Sequence, residues 1–230
     1  MSDAPAPLAT QHLTRVVDGT ALVQDVNIEV EAGDVFVVFG PSGAGKSSLL
    51  RLLNRLDEPT AGTVLLDGTD YRTLPPRTVR QRVGLVPQQP ALAEGTVADN
   101  VTWGPRLRDA SVDSARMDEL LDRLGLAGYQ DRDTESLSGG EAQRVAIART
   151  LFNDPDVVLL DEPASSLDAA AAERVESLLA DVMEAYALTA VLVTHDEARA
   201  HRLGRRGVRL ENGRVVRAGG IADIVDRSGA

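Results

Sequence analysis

Val35-Phe36-Val37-Val38-Phe39-Gly40-Pro41-Ser42-Gly43-Ala44-Gly45-Lys46-Ser47-Ser48 is the stretch on which the reading of this 230-residue chain turns. Five apolar residues run without alternation into a glycine-rich loop, as expected of a short strand buried on both faces. Lys46 to Leu56 follows as a predicted helix, with Leu49, Leu50, Leu52, Leu53 and Leu56 on or near one face. Between strand and helix, Gly40 to Ser47 satisfies G-x-x-x-x-G-K-[ST]. In that spacing glycines let backbone N–H groups curl around phosphates, and the helix N-terminus adds partial positive charge. Lys46 would reach the β and γ phosphates of a bound nucleotide, and the Ser47 hydroxyl would ligate Mg²⁺. Ser48, in the first helical turn, completes this candidate nucleotide-binding set of Gly40, Pro41, Ser42, Gly43, Ala44, Gly45, Lys46, Ser47 and Ser48.

Outward from the loop, residues 8–38 read as strands, with apolar runs at Leu22–Val30 and Val35–Phe39 and turns at Asp18-Gly19 and Ala32-Gly33. TVLLDG ends in an Asp67-Gly68 turn, and VGLVP is a short buried strand. Residues 95–135 read as a polar, mostly helical segment that forms a subdomain. A helix from about Gly140 to Phe152, a buried strand VVLLD and a helix from about Ala169 to Tyr186 come next. The strand TAVLVTH and a hairpin turning at Glu211-Asn212-Gly213 close the chain. Repeated strand-then-helix units predict a largely parallel sheet covered on both faces, in an α/β fold. The Ala- and Pro-rich residues 1–7 are expected to be a disordered tail.

Composition narrows the function. A net charge of −11 disfavours nucleic acid as a general partner, because a phosphate backbone attracts a basic surface. The absence of cysteine excludes disulfides and thiolate chemistry. No apolar stretch approaches the roughly 20 residues of a membrane span, and the start lacks the pattern of a signal peptide, so a soluble, intracellular protein is expected. Of 24 basic residues only Lys46 is lysine. An arginine-dominated, acidic sequence fits a GC-rich genome or a high-salt proteome. Neither explains why the one lysine stands in the glycine loop, where a compact, mobile point charge suits phosphate oxygens.

Two further constellations bear on chemistry. Val157-Val158-Leu159-Leu160-Asp161-Glu162 is an apolar strand ending in adjacent carboxylates, whose side chains diverge. Asp161 can face a metal shell while Glu162 points toward a water attacking the γ phosphate. Two solvated carboxylates before Pro163 are the structural alternative. Leu137-Ser138-Gly139-Gly140-Glu141 sets a serine and two glycines at a helix start, a second place suited to phosphate that, read alone, is only a good N-cap.

These residues resemble the ABC ATPase family, whose signature is LSGGQ, with Glu141 standing at its fifth position. Gly40 to Ser47, Gln88, Leu137 to Glu141, Asp161-Glu162, Ser166-Leu167-Asp168 and His195 fall in the family's order across nearly the whole chain. The resemblance implies a P-loop NTPase core with a mostly parallel sheet, an antiparallel β subdomain and a helical subdomain at about residues 90–140, all within residues 8–230. It implies that ATP and Mg²⁺ are bound and that ATP is hydrolysed. Catalytic roles fall to Glu162, to His195 as the switch histidine at the γ phosphate, and to Gln88, which also touches Mg²⁺ alongside Ser47 and Asp161. Ser138, Gly139 and Gly140 would bind the nucleotide of a second chain, and Asp168 would cross between chains, so the resemblance implies a head-to-tail homodimer. It also implies integral membrane permease subunits as partners, contacted near Gln88 and residues 90–110, on the cytoplasmic face of the membrane.

Pro90 to Val101 followed by Trp103-Gly104-Pro105 looks most like the ATPases of bacterial iron-export and plant aluminium-tolerance systems. Arg51 to Leu56 is similar to phosphate-importer ATPases. A metal ion or phosphate is therefore the expected cargo, and a non-transport ABC ATPase such as an assembly scaffold is the alternative. One departure stands out. The family places an aromatic residue in the first strand to stack on adenine, where Arg15-Val16-Val17-Asp18 offers only valine, which predicts weaker adenine selectivity.

Overall fold

The computed structural model describes residues 5–226. In chain order it contains β1 (Leu8–Val17), β2 (Thr20–Val26), β3 (Glu29–Val30), β4 (Val35–Phe39) and α1 (Lys46–Leu53). Next come β5 (Ala61–Leu66), β6 (Thr69–Asp70), α2 (Pro76–Arg82), β7 (Val83–Val86), α3 (Val97–Val101), α4 (Trp103–Arg106) and α5 (Ser114–Arg123). The remainder is α6 (Gly139–Phe152), β8 (Val157–Asp161), α7 (Ala169–Ala185), β9 (Ala190–Thr194), α8 (Glu197–Leu203), β10 (Arg206–Glu211), β11 (Arg214–Gly220) and α9 (Ile221–Val225).

The central sheet runs β11-β10-β4-β9-β8-β7, parallel except for the β10–β11 hairpin. The uninterrupted apolar runs of β4, β8 and β9 follow from burial on both faces. Phe36 and Val38 of β4 point into a core shared with Leu49 and Leu52 of α1, while Val37 and Phe39 point into a core shared with α6 and α7. Strands β1, β2, β5 and β6 form a separate antiparallel sheet, joined by β3 through β1. Leu8, Leu13 and Val64 of that sheet pack on the α1 side of the central sheet.

The helical segment is less regular than the sequence suggests. Within residues 95–135 the α-helix comes in three short pieces, α3, α4 and α5, separated by turns. Met117, Leu120 and Leu121 of α5, with Val97 and Val101 of α3, bury against Val145, Ile147 and Ala148 of α6. The subdomain thus shares the core of the sheet's α6 face and has none of its own.

Helix α1 ends at Leu53, short of the expected Leu56, because Arg55 takes a left-handed conformation (φ 58°) and Asn54 caps the last turn. The run Leu22–Val30 is broken between β2 and β3. Of the expected tail, residues 1–4 lie outside the described residues, and the Pro7 carbonyl accepts a hydrogen bond from Asp67 N–H (3.3 Å).

Candidate nucleotide site

The glycine loop sits at the C-terminal end of β4, between strand and helix, the place where open α/β sheets bind ligands. Its backbone is held tightly. Gly45 is left-handed (φ 98°), and a side chain there would collide with the Leu22 carbonyl of β2. The tip of the β10–β11 hairpin closes on the same loop: Gly213 N–H donates to the Ala44 carbonyl (2.9 Å), and Gln24 N–H to that of Gly213 (2.7 Å). Loop, β2 and hairpin tip therefore brace one another around a cavity of about 830 Å³.

Lys46, only 6% exposed, donates from Nζ to the carbonyls of Gly40 (2.8 Å) and Pro41 (3.0 Å) and lies 3.6 Å from the Glu162 carboxylate. An ammonium so enclosed is held for a negative ligand, and these weak partners can be exchanged for phosphate oxygens. Ser47 Oγ donates to Asp161 Oδ1 (3.1 Å). Burial pushes the Asp161 carboxyl above its usual range, with the Ser47 hydrogen bond opposing, Glu162 adding to the rise and Lys46 countering it. A serine hydroxyl and a carboxylate in contact, with Gln88 and Ser47 lining one cavity, make an all-oxygen donor set of the kind a hard cation such as Mg²⁺ takes alongside phosphate and water.

Glu162 is the pivot. Its backbone is left-handed (φ 45°), a conformation that costs a non-glycine residue about 1–3 kcal/mol and persists only where the surroundings impose it. The peptide is tied by Glu162 N–H to the Val193 carbonyl (3.2 Å) and by Ser165 N–H to the Glu162 carbonyl (3.1 Å). This turn separates its side chain from that of Asp161 and brings it 2.9 Å from His195 Nδ1, with Lys46 on the other side. His195 follows β9 directly, and Glu162 follows β8. The two strands are parallel neighbours, so two residues 33 apart in sequence meet at the C-terminal end of the sheet.

Gln88, Glu162 and His195 thus line one cavity together with Ser42, Gly43, Gly45, Lys46, Ser47 and Ser48. Gln88 Nε2 donates to Ser165 Oγ (3.0 Å), which donates to the Glu162 carbonyl (3.0 Å). Ser165 was not singled out in the sequence, although it adjoins Ser166-Leu167-Asp168. Asn212 and Gly213, read only as a hairpin turn, also line the cavity.

The remaining predicted residues lie elsewhere. Ser138 and Gly140 line a different cavity of about 280 Å³, between the starts of α6 and α7. Gly139 opens α6 beside them. Glu141 accepts from Ser138 N–H (2.8 Å), from Ser138 Oγ (2.7 Å) and from the Tyr129 hydroxyl (2.8 Å). The Ser138 side chain, its backbone and Tyr129 together hold the Glu141 carboxyl at about 2. Asp168 caps α7 by accepting from Ala171 N–H (3.0 Å). Val17, at the expected adenine position, is 37% exposed.

A buried strand feeding a glycine loop and helix, with carboxylates at the end of a parallel strand one place removed in the sheet, defines a P-loop nucleoside-triphosphate hydrolase domain. The ABC transporter family profile matches residues 23–165, and the chain belongs to that family as an ABC ATPase. It is 42% identical over 197 residues to ABC transporter I family member 17 of Arabidopsis thaliana, covering 85% of this chain and 75% of that protein. It is also 42% identical over 212 residues to the methionine import ATP-binding protein MetN of Caulobacter vibrioides, covering 90% of this chain and 64% of the relative. A solved dimer of an ATP-binding cassette in a post-hydrolysis state, bound to ADP and Pi, superposes with a TM-score of 0.81 at 30% identity, covering 93% of this chain and 98% of its own.

Proposed function

We propose that two copies of this chain close head to tail over two ATP molecules and that the closure drives a separate membrane permease. The carrying observation is Glu162, held between Lys46 and His195 in the lining of the cavity. Backbone N–H groups of Gly43 to Ser47 and the Lys46 ammonium neutralise the β and γ phosphates. Ser47, Asp161 and Gln88 would hold Mg²⁺, which when bound offsets charge on the phosphate oxygens. Glu162 orients and polarises the attacking water, and His195 fixes Glu162 and faces the γ phosphate.

Ser138, Gly139 and Gly140 complete the site of the second copy, since in one chain Ser138 and Gly140 line a cavity other than that of the glycine loop, with Gly139 between them at the start of α6. Asp168 lies at the same edge, at the start of α7. The test is Glu162→Gln. Its ATP turnover should fall by roughly 100-fold or more while ATP converts the protein to a stable dimer in size-exclusion chromatography. Normal turnover by a protein that stays monomeric with ATP would remove Glu162 from this role.

The partner is an integral membrane permease docking near Gln88 and residues 90–110, which places the chain on the cytoplasmic face of the membrane. No helix among the described residues is long and apolar enough to cross a membrane. A metal ion or phosphate is the proposed cargo, and nucleic acid is not a partner. Co-purification with a multi-span membrane protein distinguishes this reading from that of an assembly scaffold. Valine in place of an aromatic at position 17 supports weak base selectivity. Comparable turnover of ATP and GTP is expected, and a strong ATP preference would contradict it.

A further inference from the structure

His195 reaches the Glu162 carboxylate with a side chain that is 51% exposed, so packing alone does not fix the imidazole. Its position must come from the backbone that carries it. Only His195 and Asp196 stand between the end of β9 at Thr194 and the start of α8 at Glu197. The placement of α8 is therefore passed straight to the histidine. That helix has seven residues, and those it buries are Ala200, Leu203 and one cation, Arg199.

Arg199 Nε donates to Glu176 Oε1 of α7 (2.5 Å), and Arg202 Nη1 donates to Glu176 Oε2 (3.1 Å). The side chains of Glu176 and Arg199 are 7% and 8% exposed. A buried carboxylate of α7 thus grips two arginines on α8. An ion pair this enclosed gives up hydration on both sides, and apolar residues of similar volume would join two helices about as firmly. What the pair adds is geometry, because two charge-assisted hydrogen bonds from one carboxylate fix both the distance and the rotation of α8.

Between the two helices lies a concavity of about 510 Å³, lined by Glu173 and Glu176 of α7 and by His195, Asp196, Arg199 and Arg202 on and before α8. Without the clamp, α8 would have room to shift. The link from clamp to histidine is continuous. Arg199 N–H donates to Asp196 Oδ1 (2.9 Å), and Asp196 N–H donates to Thr194 Oγ1 (3.0 Å), which ties the residues on either side of His195 to helix and strand.

We infer that Glu176 and Arg199 are positioning residues for hydrolysis, holding α8 so that His195 stays against Glu162. The inference rests on the reading of Glu162 and His195 as hydrolytic residues and adds the pair that sets their geometry. Neither Glu176 nor Arg199 lines the cavity of the glycine loop, so their loss should fall on kcat and spare KM.

Glu176→Gln combined with Arg199→Met replaces the pair by neutral groups of similar size, which should leave the melting temperature near that of the wild type. Its kcat for ATP should fall roughly 10-fold with KM unchanged. In isotope-labelled protein the ring resonances of His195 should shift while those of His12 stay. In a His195→Ala background the same two substitutions should cost none of the residual turnover, because a clamp that acts through His195 has nothing left to position. Arg202→Gln, at a side chain 46% exposed, loosens the same carboxylate without opening the core. It should lower kcat roughly 2-fold to 3-fold.

Wild-type kcat in the paired variant, unmoved His195 resonances, or a further loss in the His195→Ala background would overturn the assignment. If the paired variant fails to fold, Arg202→Gln decides: wild-type kcat there overturns the clamp, and a fall that vanishes in the His195→Ala background upholds it. His195→Ala by itself tests the underlying reading. Wild-type turnover by that variant fails the parent reading, whereas lost turnover there with full turnover in the clamp variants fails only the clamp.

Discussion

Lys46 is buried between two backbone carbonyls and a carboxylate, in a space that fits a linear ammonium. A guanidinium is longer, planar and unable to rotate its charge into that space. Lys46→Arg, conservative elsewhere in an arginine-rich chain, should therefore lower ATP turnover by roughly 100-fold or more, read by phosphate release. At Asp161 burial raises the folded pKa, so the stability tied to its protonation is present below the unfolded pKa and is lost as pH rises through the folded one. Asp161→Asn removes that penalty. Its melting temperature at pH 7 should rise while Mg²⁺-dependent hydrolysis is lost, the exchange of stability for function expected of a charged site. Glu141 has the opposite sign: its depressed pKa of about 2 contributes stability above about pH 4.5 that disappears as pH falls toward 2. Thermal melts across that window should show a steeper acid limb for the wild type than for Glu141→Gln.

At the scale of elements, the sheet is explained by its strands and the helical segment by its neighbour. VFVVF and VVLLD carry apolar residues at every position, and only a layer on each side can bury them. The short helices α3 and α5 could not hold alone, because helices of this length are marginal in water. They are ordered by Leu120, Leu121 and Val101 packing against α6. Leu121→Ala should cost about 2–5 kcal/mol in denaturant unfolding. It should do so in a single transition shared by the whole domain, since the core is continuous. Two separate transitions would show that the subdomain folds independently.

For the molecule as a whole, the separation of Ser138 from the glycine loop has a consequence that one chain cannot display. If the nucleotide site is shared, a chain carrying Lys46→Ala and a chain carrying Ser138→Arg are each inactive alone. Mixed, they form heterodimers with one site spoiled twice and the other intact. ATP hydrolysis should then reappear at roughly a quarter of the wild-type rate, for random pairing and independent sites. No recovery on mixing would argue that each chain hydrolyses by itself.

The sequence by itself determined the glycine loop, the carboxylate pair, the parallel-sheet class and the family. These depend on local spacing: a strand and helix flanking G-x-x-x-x-G-K-S leave the backbone few alternatives, and an apolar strand must be buried. The tertiary structure alone decided what no spacing encodes. It ended α1 at Leu53, brought the tip of the last hairpin onto Ala44, and put Ser165 between Gln88 and Glu162. It also left Arg77, Arg80, Arg108 and Arg149 around one groove, none of them paired with a carboxylate among the described residues. Those features join residues far apart in the chain, and contacts of that kind are fixed by how β4, β8 and β9 order themselves in the sheet and which helices pack over them.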